Sequence, residues 1–395
     1  MQIPSRLIAL GAASAILIAA CSSSSATQAP TTAASQPAAS GGASGAINKD
    51  WKACVAFDTG GLGDKGFNDL AKKGLDDAAA LGFKTASAEA KSATDYEANL
   101  QRLIDGGCNT IIAVGFLQGN ATAKATLANP DIAFGQVDAT WNSAGPDGKA
   151  GTADDPPPGV PANFTGLDYQ VDQAAMLAGY LAASFSKSGK VATFGGLAFP
   201  GVTRFMDGYY AGVQYYNKQK SKNVQVLGWD GSKPDPAKAG GTFVGGSGST
   251  DTWNNPSKGE QIAKSFLDQG VDILHPVAGE TGNGSIKAML AAGKWAIGVD
   301  NDQAITLPDY AAAILTSAQK AIDVSVLDVF KATSSGKLGG SDYSGTLANK
   351  GVLLAPFHSF DSQIPADTKT EIQALHDAIA SGSVKVCTFL GRGCQ

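Results

Sequence analysis

The segment from Asp58 to Asn68 carries side chains suited to holding a small planar molecule. The Asp58 carboxylate accepts hydrogen bonds, the Asn68 amide both donates and accepts them, and Phe67 presents a flat apolar ring. Glycines occupy several positions between them and allow a tight turn. Together these groups match the edge and the face of a heterocyclic base.

Gly61 to Gly66 in this segment also spells the G-x-G-x-x-G pattern of dinucleotide-binding proteins, and Glu89 follows at about the expected distance. A pyrophosphate binds to bare amides at a helix N-terminus, however, and Asp58 and Asp64 would bring negative charge toward it. We therefore interpret the match as accidental.

Short apolar strands alternate with amphipathic helices from Lys52 onward, which is typical of a parallel sheet covered on both faces. A predicted strand over Ala53–Phe57 and a predicted helix over Phe67–Leu81 bracket the glycine-rich segment. Ligands of open α/β sheets bind beyond the carboxyl ends of the strands. This order therefore places Asp58, Phe67 and Asn68 at a binding crevice.

The alternation occurs twice and so predicts an α/β fold with two doubly wound parallel-sheet lobes joined by a hinge. We expect lobe one to comprise residues 51–163 plus about 300–330, and lobe two to comprise residues 164–299 plus about 331–395. A helix that begins near Ser317 is expected to return the chain to lobe one. Two glycine-rich stretches, 147–161 and 230–251, are predicted to be inserted surface loops.

The N-terminus is typical of an export signal, because one positive charge precedes an apolar run that ends in small residues before Cys21. Ile18–Cys21 resembles the lipobox of bacterial lipoproteins, although an ordinary secretory signal with an incidental cysteine is the alternative. We expect residues 1–20 to be removed and 21–50 to form a lipidated Cys21 and a flexible tether of roughly 25 to 30 Å. The protein would then be lipid-anchored at the extracytoplasmic face of the cell membrane.

The four cysteines besides Cys21 fit an oxidising compartment. Cys387 and Cys394 would close a short terminal loop. Cys54 and Cys108 each open a predicted strand, and these two strands would be neighbours in the sheet. We predict both bridges, although spacing alone does not determine pairing.

Composition argues against several functions. A formal net charge of -5 lacks the basic footprint of nucleic-acid binding. The histidines and cysteines have no zinc-like spacing, so no metal or other cofactor is expected. His275, His358 and His376 sit in no arrangement with a nucleophile, which argues against an enzyme.

Three motifs resemble the basic membrane protein, or purine nucleoside receptor, lipoproteins, which are substrate-binding proteins of ABC importers with a type I periplasmic-binding-protein fold. Asp58–Asn68 is similar to that family's D-x-G-G-x-x-D-K-S-F-N, with Gly66 in place of serine. Phe194–Met206 is similar to its G-G-x-x-x-x-x-x-x-R-F-E, with methionine in place of the acid. Lys294–Gln303 nearly repeats its K-W-A-I-G-V-D-x-D-Q, and the similarity covers about Lys52–Phe360.

The resemblance implies a monomer that closes over a purine nucleoside by a hinge motion, without chemistry, and passes it to a membrane permease. The base would stack between two rings, corresponding to Phe67 and Phe205, and Asp300 would accept from the ribose hydroxyls. The other residues implied at the ligand are Asp58, Asn68 and Asp138 at the base, Lys320 at the sugar, and Trp253, Asn254 and Gly279.

One departure from the family pattern leaves the ligand open. The family's S-F-D-D-P-A-K-G is here Thr252–Gly259, in which Asn254 and Asn255 replace two acids with amides that also donate. A sugar, riboflavin or another small ligand, or a purely sensory role, are the alternatives. Structural interpretations also exist for single residues: Phe205 as core, Asp300 as a helix cap, and Lys320 as a solvated side chain.

Overall fold

The computed structural model describes residues 48–141, 159–232, 240–245 and 251–392. The predicted signal, Cys21 and most of the tether lie outside the described residues, as do Cys394 and much of both predicted insertions. The predicted Cys387–Cys394 bridge therefore stays a prediction. Within the described ranges, no helix is both long and apolar enough to cross a membrane.

The first elements alternate strand and helix as predicted. They are β1 (Lys52–Phe57), α1 (Phe67–Ala80), β2 (Lys84–Glu89), α2 (Tyr96–Asp105), β3 (Thr110–Ala113), α3 (Gly119–Ala128), β4 (Ala133–Val137) and β5 (Phe164–Tyr169). Residues Ala53 to Phe57 of β1 are all fully buried, as expected for a central strand with helices on both faces. Helix α1 buries an amphipathic stripe that includes Leu70, Leu75 and Ala78.

The chain continues with the same alternation. The elements are α4 (Asp172–Phe185), β6 (Lys190–Gly195), α5 (Pro200–Lys220), β7 (Gln225–Leu227), α6 (Pro256–Asp268), β8 (Ile273–Val277), α7 (Gly279–Ala291), β9 (Trp295–Asp300), α8 (Gln303–Thr306), β10 (Ile314–Lys320), α9 (Ile322–Ser334), β11 (Tyr343–Gly345), β12 (Val352–Leu354) and α10 (Ala366–Ala380). Short 3-10 turns connect several of them.

Within the described residues, the strands form two six-stranded sheets. The first sheet has the order β11-β5-β4-β3-β1-β2 and is parallel throughout. The second has the order β12-β10-β9-β8-β6-β7 and is parallel except for β12, which runs antiparallel to β10. The predicted α/β fold with two doubly wound sheets is confirmed.

Three strands lie in a different sheet from the one predicted. β5 begins at Phe164, where lobe two was expected to start, yet it pairs with β4 in the first sheet. β10 lies in the second sheet rather than in lobe one, and it occupies the position of the predicted helix near Ser317. β11 joins the first sheet instead of lobe two. Apolar patterning identifies a strand but not its neighbour, and this is why the prediction was wrong.

In the part of the chain that the structure describes, the backbone consequently crosses between the two sheets three times. The crossings follow β5 at Gln170, follow β10 at Ala321, and occupy 346–351 between β11 and β12. The Gln170 amide donates to the Gly345 carbonyl at 2.8 Å, and the Ala321 amide donates to the Gly351 carbonyl at 2.9 Å. The three crossings therefore lie side by side. After the second crossing, α9 packs against α1 beside the first sheet.

The predicted disulfide between Cys54 and Cys108 is confirmed. Its Cα atoms are 6.1 Å apart, and the strands that it joins, β1 and β3, are neighbours in the first sheet.

Helices α4 and α5 pack with their backbones in contact beside the second sheet. A Cβ atom on Gly208 would collide with the carbonyl of Asp172, and one on Gly212 would collide with the carbonyl of Met176. Glycine at these positions allows the two helices to approach this closely. The packing determines where the N-terminal turns of α5 lie, and those turns line the cavity described next.

Candidate functional site

A cavity lies between the carboxyl ends of the strands of the two sheets. Its residues come from the loops after β1, β3, β4 and β8, from the ends of β8, β9 and β10, from the starts of α1, α5 and α7, and from the segment before α6. The lining residues are Asp58, Gly60, Asp64, Phe67, Asn68, Phe116, Asp138, Gly201, Val202, Phe205, Trp253, Val277, Ala278, Gly279, Asp300 and Lys320. All the residues predicted at the ligand except Asn254 are among them.

The glycine-rich loop holds its polar side chains in a closed hydrogen-bond network. The Asn68 amide donates to Asp58 at 2.9 Å and to Asp64 at 3.1 Å. Asp58 also accepts from the Gly60 amide, and Asp64 accepts from the amides of Gly66 and Asn68. Asp64 therefore caps the start of α1 and fixes the position of the next residues, Phe67 and Asn68.

Burial changes the acidity of this network. Desolvation raises the pKa of Asp58 to about 6, even though hydrogen bonds from Asn68 and Gly60 favour its charged form. Desolvation also raises the pKa of Asp64. Both carboxyls are nearly inaccessible to solvent, so a bound molecule that donates to them would replace the water they have lost.

Lys320 connects the two sheets inside the cavity. Its ammonium lies 2.6 Å from Asp138, which follows β4 of the first sheet, and 3.6 Å from Asp300, the last residue of β9 in the second. Burial raises the pKa of Asp300 to about 6, although the charge of Lys320 opposes the shift. Asp300 Oδ1 has no hydrogen-bond partner within the described part of the chain. The contact of Oδ1 with the Lys320 ammonium at 3.6 Å is an ion pair and not a hydrogen bond, so Oδ1 can still accept one.

Asp138 and Asp300 also share a backbone conformation. Their φ angles are +59° and +63°, in the left-handed region that non-glycine residues seldom adopt. Such residues cluster at functional sites, where the surrounding structure enforces the conformation. Here each sheet contributes one of them at the carboxyl end of a strand: Asp138 directly after β4, and Asp300 as the last residue of β9.

Aromatic rings face the cavity from both sheets. The Lys320 ammonium lies 5.2 Å from the centre of the Phe67 ring and 4.9 Å from that of Phe205. Phe116 stacks on Phe199 across the two halves with a centroid separation of 3.7 Å. The Trp253 indole covers Gly196, where any side chain would collide with it. The cavity thus combines apolar faces with carboxylate acceptors.

The structure decides differently on the structural interpretations of Phe205, Asp300 and Lys320. Phe205 is 1% exposed and belongs to the core, yet it also lines the cavity. The cap of α8 is Asp302, not Asp300. Lys320 is 3% exposed, so its interpretation as a solvated side chain is wrong.

The prediction for Asn254 places it incorrectly. Asn254 is exposed and is not a lining residue, whereas its neighbour Asn255 caps α6 by accepting from the Lys258 amide at 3.0 Å. Seven lining residues were not predicted at the ligand: Gly60, Asp64, Phe116, Gly201, Val202, Val277 and Ala278. Of these, Phe116 follows β3 and carried the same strand-end signal as Asp58 and Asp138.

Among the described residues, no group of three or more histidine, cysteine, aspartate or glutamate side chains is arranged to hold a metal ion. The cavity carboxylates instead bond to amides and to an ammonium group. Their arrangement suits a neutral ligand with several hydrogen-bond donors.

Comparison with known families gives one extended match. The model described as "Bmp: ABC transporter substrate-binding protein PnrA-like" matches residues 52–239 and 247–384. Basic membrane protein A1 of Borrelia garinii subsp. bavariensis is 29% identical over 332 residues, which cover 83% of this chain and 86% of that protein. The ABC transporter nucleoside-binding protein BmpA of Lactococcus lactis subsp. cremoris is 27% identical over 334 residues, 79% of this chain and 84% of that protein.

Solved structures share the fold. An ABC transporter solute-binding protein from Aeropyrum pernix superposes with a TM-score of 0.70 at 24% identity, covering 85% of this chain and 92% of that one. The arabinose-binding protein AraP of Geobacillus stearothermophilus superposes with a TM-score of 0.53 at 15% identity, covering 80% and 100%. At these identities the likeness concerns the fold alone.

Proposed function

The chain belongs to the Bmp family of PnrA-like ABC transporter substrate-binding proteins, and on that premise we propose that its ligand is a purine nucleoside. It is a solute-binding component of an importer and not an enzyme. The observation that supports the nucleoside is the pairing of two phenylalanine rings from opposite sheets, Phe67 and Phe205, with carboxylates at the same cavity. One relative, BmpA of Lactococcus lactis subsp. cremoris, is named a nucleoside-binding protein.

The cavity offers the contacts that a purine nucleoside requires. Stacking on an aromatic ring contributes about 1 to 3 kcal/mol per base and does not depend on which base is bound. Asp58, Asn68 and Asp138 would meet the polar edge of the base. Asp300 Oδ1, an acceptor without a donor among the described residues, would accept from the ribose hydroxyls, and Lys320 would lie beside the same sugar.

We also propose that binding works by hinge closure, with one lobe built on each sheet. The three adjacent crossings at Gln170, Ala321 and 346–351 are the connections about which the lobes would rotate. A ligand that contacts both lobes stabilises the closed form by its differential affinity, and the permease would recognise that form.

The ligand can be tested by calorimetry with adenosine, guanosine, uridine, adenine, riboflavin and ribose. We expect sub-micromolar binding of the purine nucleosides, about 8 to 10 kcal/mol, with weaker binding of adenine and no detectable binding of ribose. The 2′-deoxy nucleosides should bind more weakly than the ribonucleosides because Asp300 loses a donor. A pentose or a flavin that binds while nucleosides do not would overturn the assignment.

The location is proposed from the sequence alone. We propose that residues 1–20 direct export and that a lipid on Cys21 anchors the protein, as a monomer, to the outer face of the cell membrane. Replacing Cys21 by serine should release the protein from the membrane fraction. A variant that stays with the membranes would contradict lipid anchoring through this cysteine.

A further inference from the structure

A second set of contacts joins the two halves outside the cavity. The carbonyls of two consecutive residues in the glycine-rich loop, Asp64 and Lys65, accept side-chain hydrogen bonds from the second half. Asn283 Nδ2, on α7, donates to the Asp64 carbonyl at 3.1 Å, and Thr306 Oγ1, at the end of α8, donates to the Lys65 carbonyl at 2.9 Å. Neither Asn283 nor Thr306 lines the cavity.

The donor end of Asn283 is oriented by its own half of the protein. The Val299 amide donates to Gln303 Oε1 at 2.9 Å, which turns the amide nitrogen of Gln303 toward Asn283. Gln303 Nε2 then donates to Asn283 Oδ1 at 3.0 Å. With its oxygen occupied, Asn283 directs its nitrogen across the cleft. This directional chain starts one residue before Asp300, on the same strand.

The acceptor carbonyls are presented by an equally ordered loop. Lys65 has a φ of +62°, an uncommon conformation for a residue with a side chain. The Asp64 carboxylate accepts from the Gly66 amide at 2.9 Å and from the Asn68 amide at 2.8 Å, and so holds the loop in place. The same loop leads directly into Phe67 and Asn68. Each side of the contact is therefore held by hydrogen bonds within its own half.

We propose that Asn283 and Thr306 form a latch that stabilises the closed form and raises ligand affinity without touching the ligand. The inference rests on the proposed hinge closure. A ligand binds a closing protein with an apparent dissociation constant that depends on the population of the closed form, so residues that raise this population strengthen binding. Asn283 and Thr306 are positioning residues in this sense.

The test compares three variants with the unmodified protein: Asn283→Ala, Asn283→Asp, and the double variant Asn283→Ala with Thr306→Val. We expect the double variant to bind adenosine roughly tenfold more weakly, mainly through faster dissociation, and to have a larger radius of gyration by X-ray scattering without ligand. Asn283→Asp preserves the size of the side chain but replaces the donor by a carboxylate that repels the Asp64 carbonyl. It should therefore weaken binding more than Asn283→Ala, whereas a packing role predicts the opposite order.

The matched control is Thr370→Val, because the Thr370 hydroxyl donates within its own helix to the Ala366 carbonyl at 3.0 Å. It should change neither affinity nor scattering. If the double variant keeps both the adenosine affinity and the ligand-free scattering of the unmodified protein, the latch is wrong. If the unmodified protein does not bind adenosine, the nucleoside assignment fails, and the scattering comparison alone then decides for or against the latch.

Discussion

The two walls of the cavity are built differently. The first wall comes from the loops of the first sheet, and its acids Asp58 and Asp64 already bond to Asn68 and to backbone amides. The second wall comes from the second sheet and combines a core residue, Phe205, with Asp300, whose Oδ1 forms an ion pair with Lys320 but accepts no hydrogen bond among the described residues. The first wall is thus complete before a ligand arrives, and the second offers an acceptor that a ligand would complete.

This difference assigns separate roles to the two walls. A hydrogen-bonded wall keeps its geometry whether or not the ligand is present, so it preorganises the site. A buried acceptor without a donor is unfavourable in the ligand-free protein, so a ligand that donates to it gains more than an ordinary hydrogen bond. Substitutions can test whether the walls differ in this way.

The largest expected effect is a difference in stability between variants of the two cavity rings, Phe205 and Phe67. Phe205→Ala should lower the free energy of unfolding by about 3 to 5 kcal/mol, because the side chain is 1% exposed and its removal leaves a cavity in the core. Phe67→Ala should cost about 1 to 2 kcal/mol, because this ring is only partly buried. Urea unfolding without ligand measures both. Equal losses would show that the two rings are equally part of the core.

The next effect concerns the unused acceptor. Asp300→Asn should weaken adenosine binding about 10- to 100-fold, because a hydrogen bond to a charged group contributes about 1.5 to 3 kcal/mol. Calorimetry with adenosine and 2′-deoxyadenosine measures the loss. The substitution should weaken the binding of 2′-deoxyadenosine less than that of adenosine, because the deoxy nucleoside lacks the 2′ hydroxyl. Identical losses for the two ligands would argue that Asp300 does not contact the 2′ hydroxyl.

A smaller effect is the pH dependence of binding and of stability, which should have opposite signs. Burial raises the pKa of Asp58 and of Asp300 from 3.8 to about 6. Each group therefore stabilises the ligand-free fold most below pH 3.8 and loses this contribution as the pH rises through 6. Ligand donors require the charged forms, so affinity should fall by about tenfold per group between pH 7 and pH 5.

Calorimetry at several pH values measures the change in affinity, and urea unfolding at the same pH values measures the change in stability. Asp58→Asn and Asp300→Asn should each reduce both pH dependences, because each removes one of the two titrating groups. An affinity that rises as the pH falls would contradict the assignment of these carboxylates as ligand acceptors.

The smallest expected effect is at Asn254. Asn254→Ala should leave the dissociation constant for adenosine within about twofold, since the side chain is exposed and outside the cavity. Trp253→Ala, one residue away, should weaken binding several-fold because the indole lines the cavity. A larger loss at Asn254 than at Trp253, by calorimetry, would mean that the second wall extends farther than the cavity described here.

The sequence predicted most of the strands and helices as far as β9, and nine of the sixteen lining residues of the cavity, for identifiable reasons. Asp58, Asp138 and Asp300 each lie at the carboxyl end of an apolar strand, and parallel strands bring such positions to one edge. The disulfide followed from the same argument, because β1 and β3 are neighbours.

Three features could not be predicted because they depend on three-dimensional pairing. The sheet that β5 joins is determined by hydrogen bonds to β4, and the intervening insertion hides this relation in the sequence. The exposure of Asn254 depends on the capping of α6 by the next residue. The contact of Asn283 with Asp64 links residues distant in sequence, and no local pattern indicates it.

The triple crossing has a consequence for how the protein is made. The edge strands β11 and β12 lie near the C-terminus, so neither sheet has its full set of strands until residues 343–354 have left the ribosome. A nascent chain of this kind gains its stability late in synthesis, and no N-terminal fragment corresponds to a whole lobe.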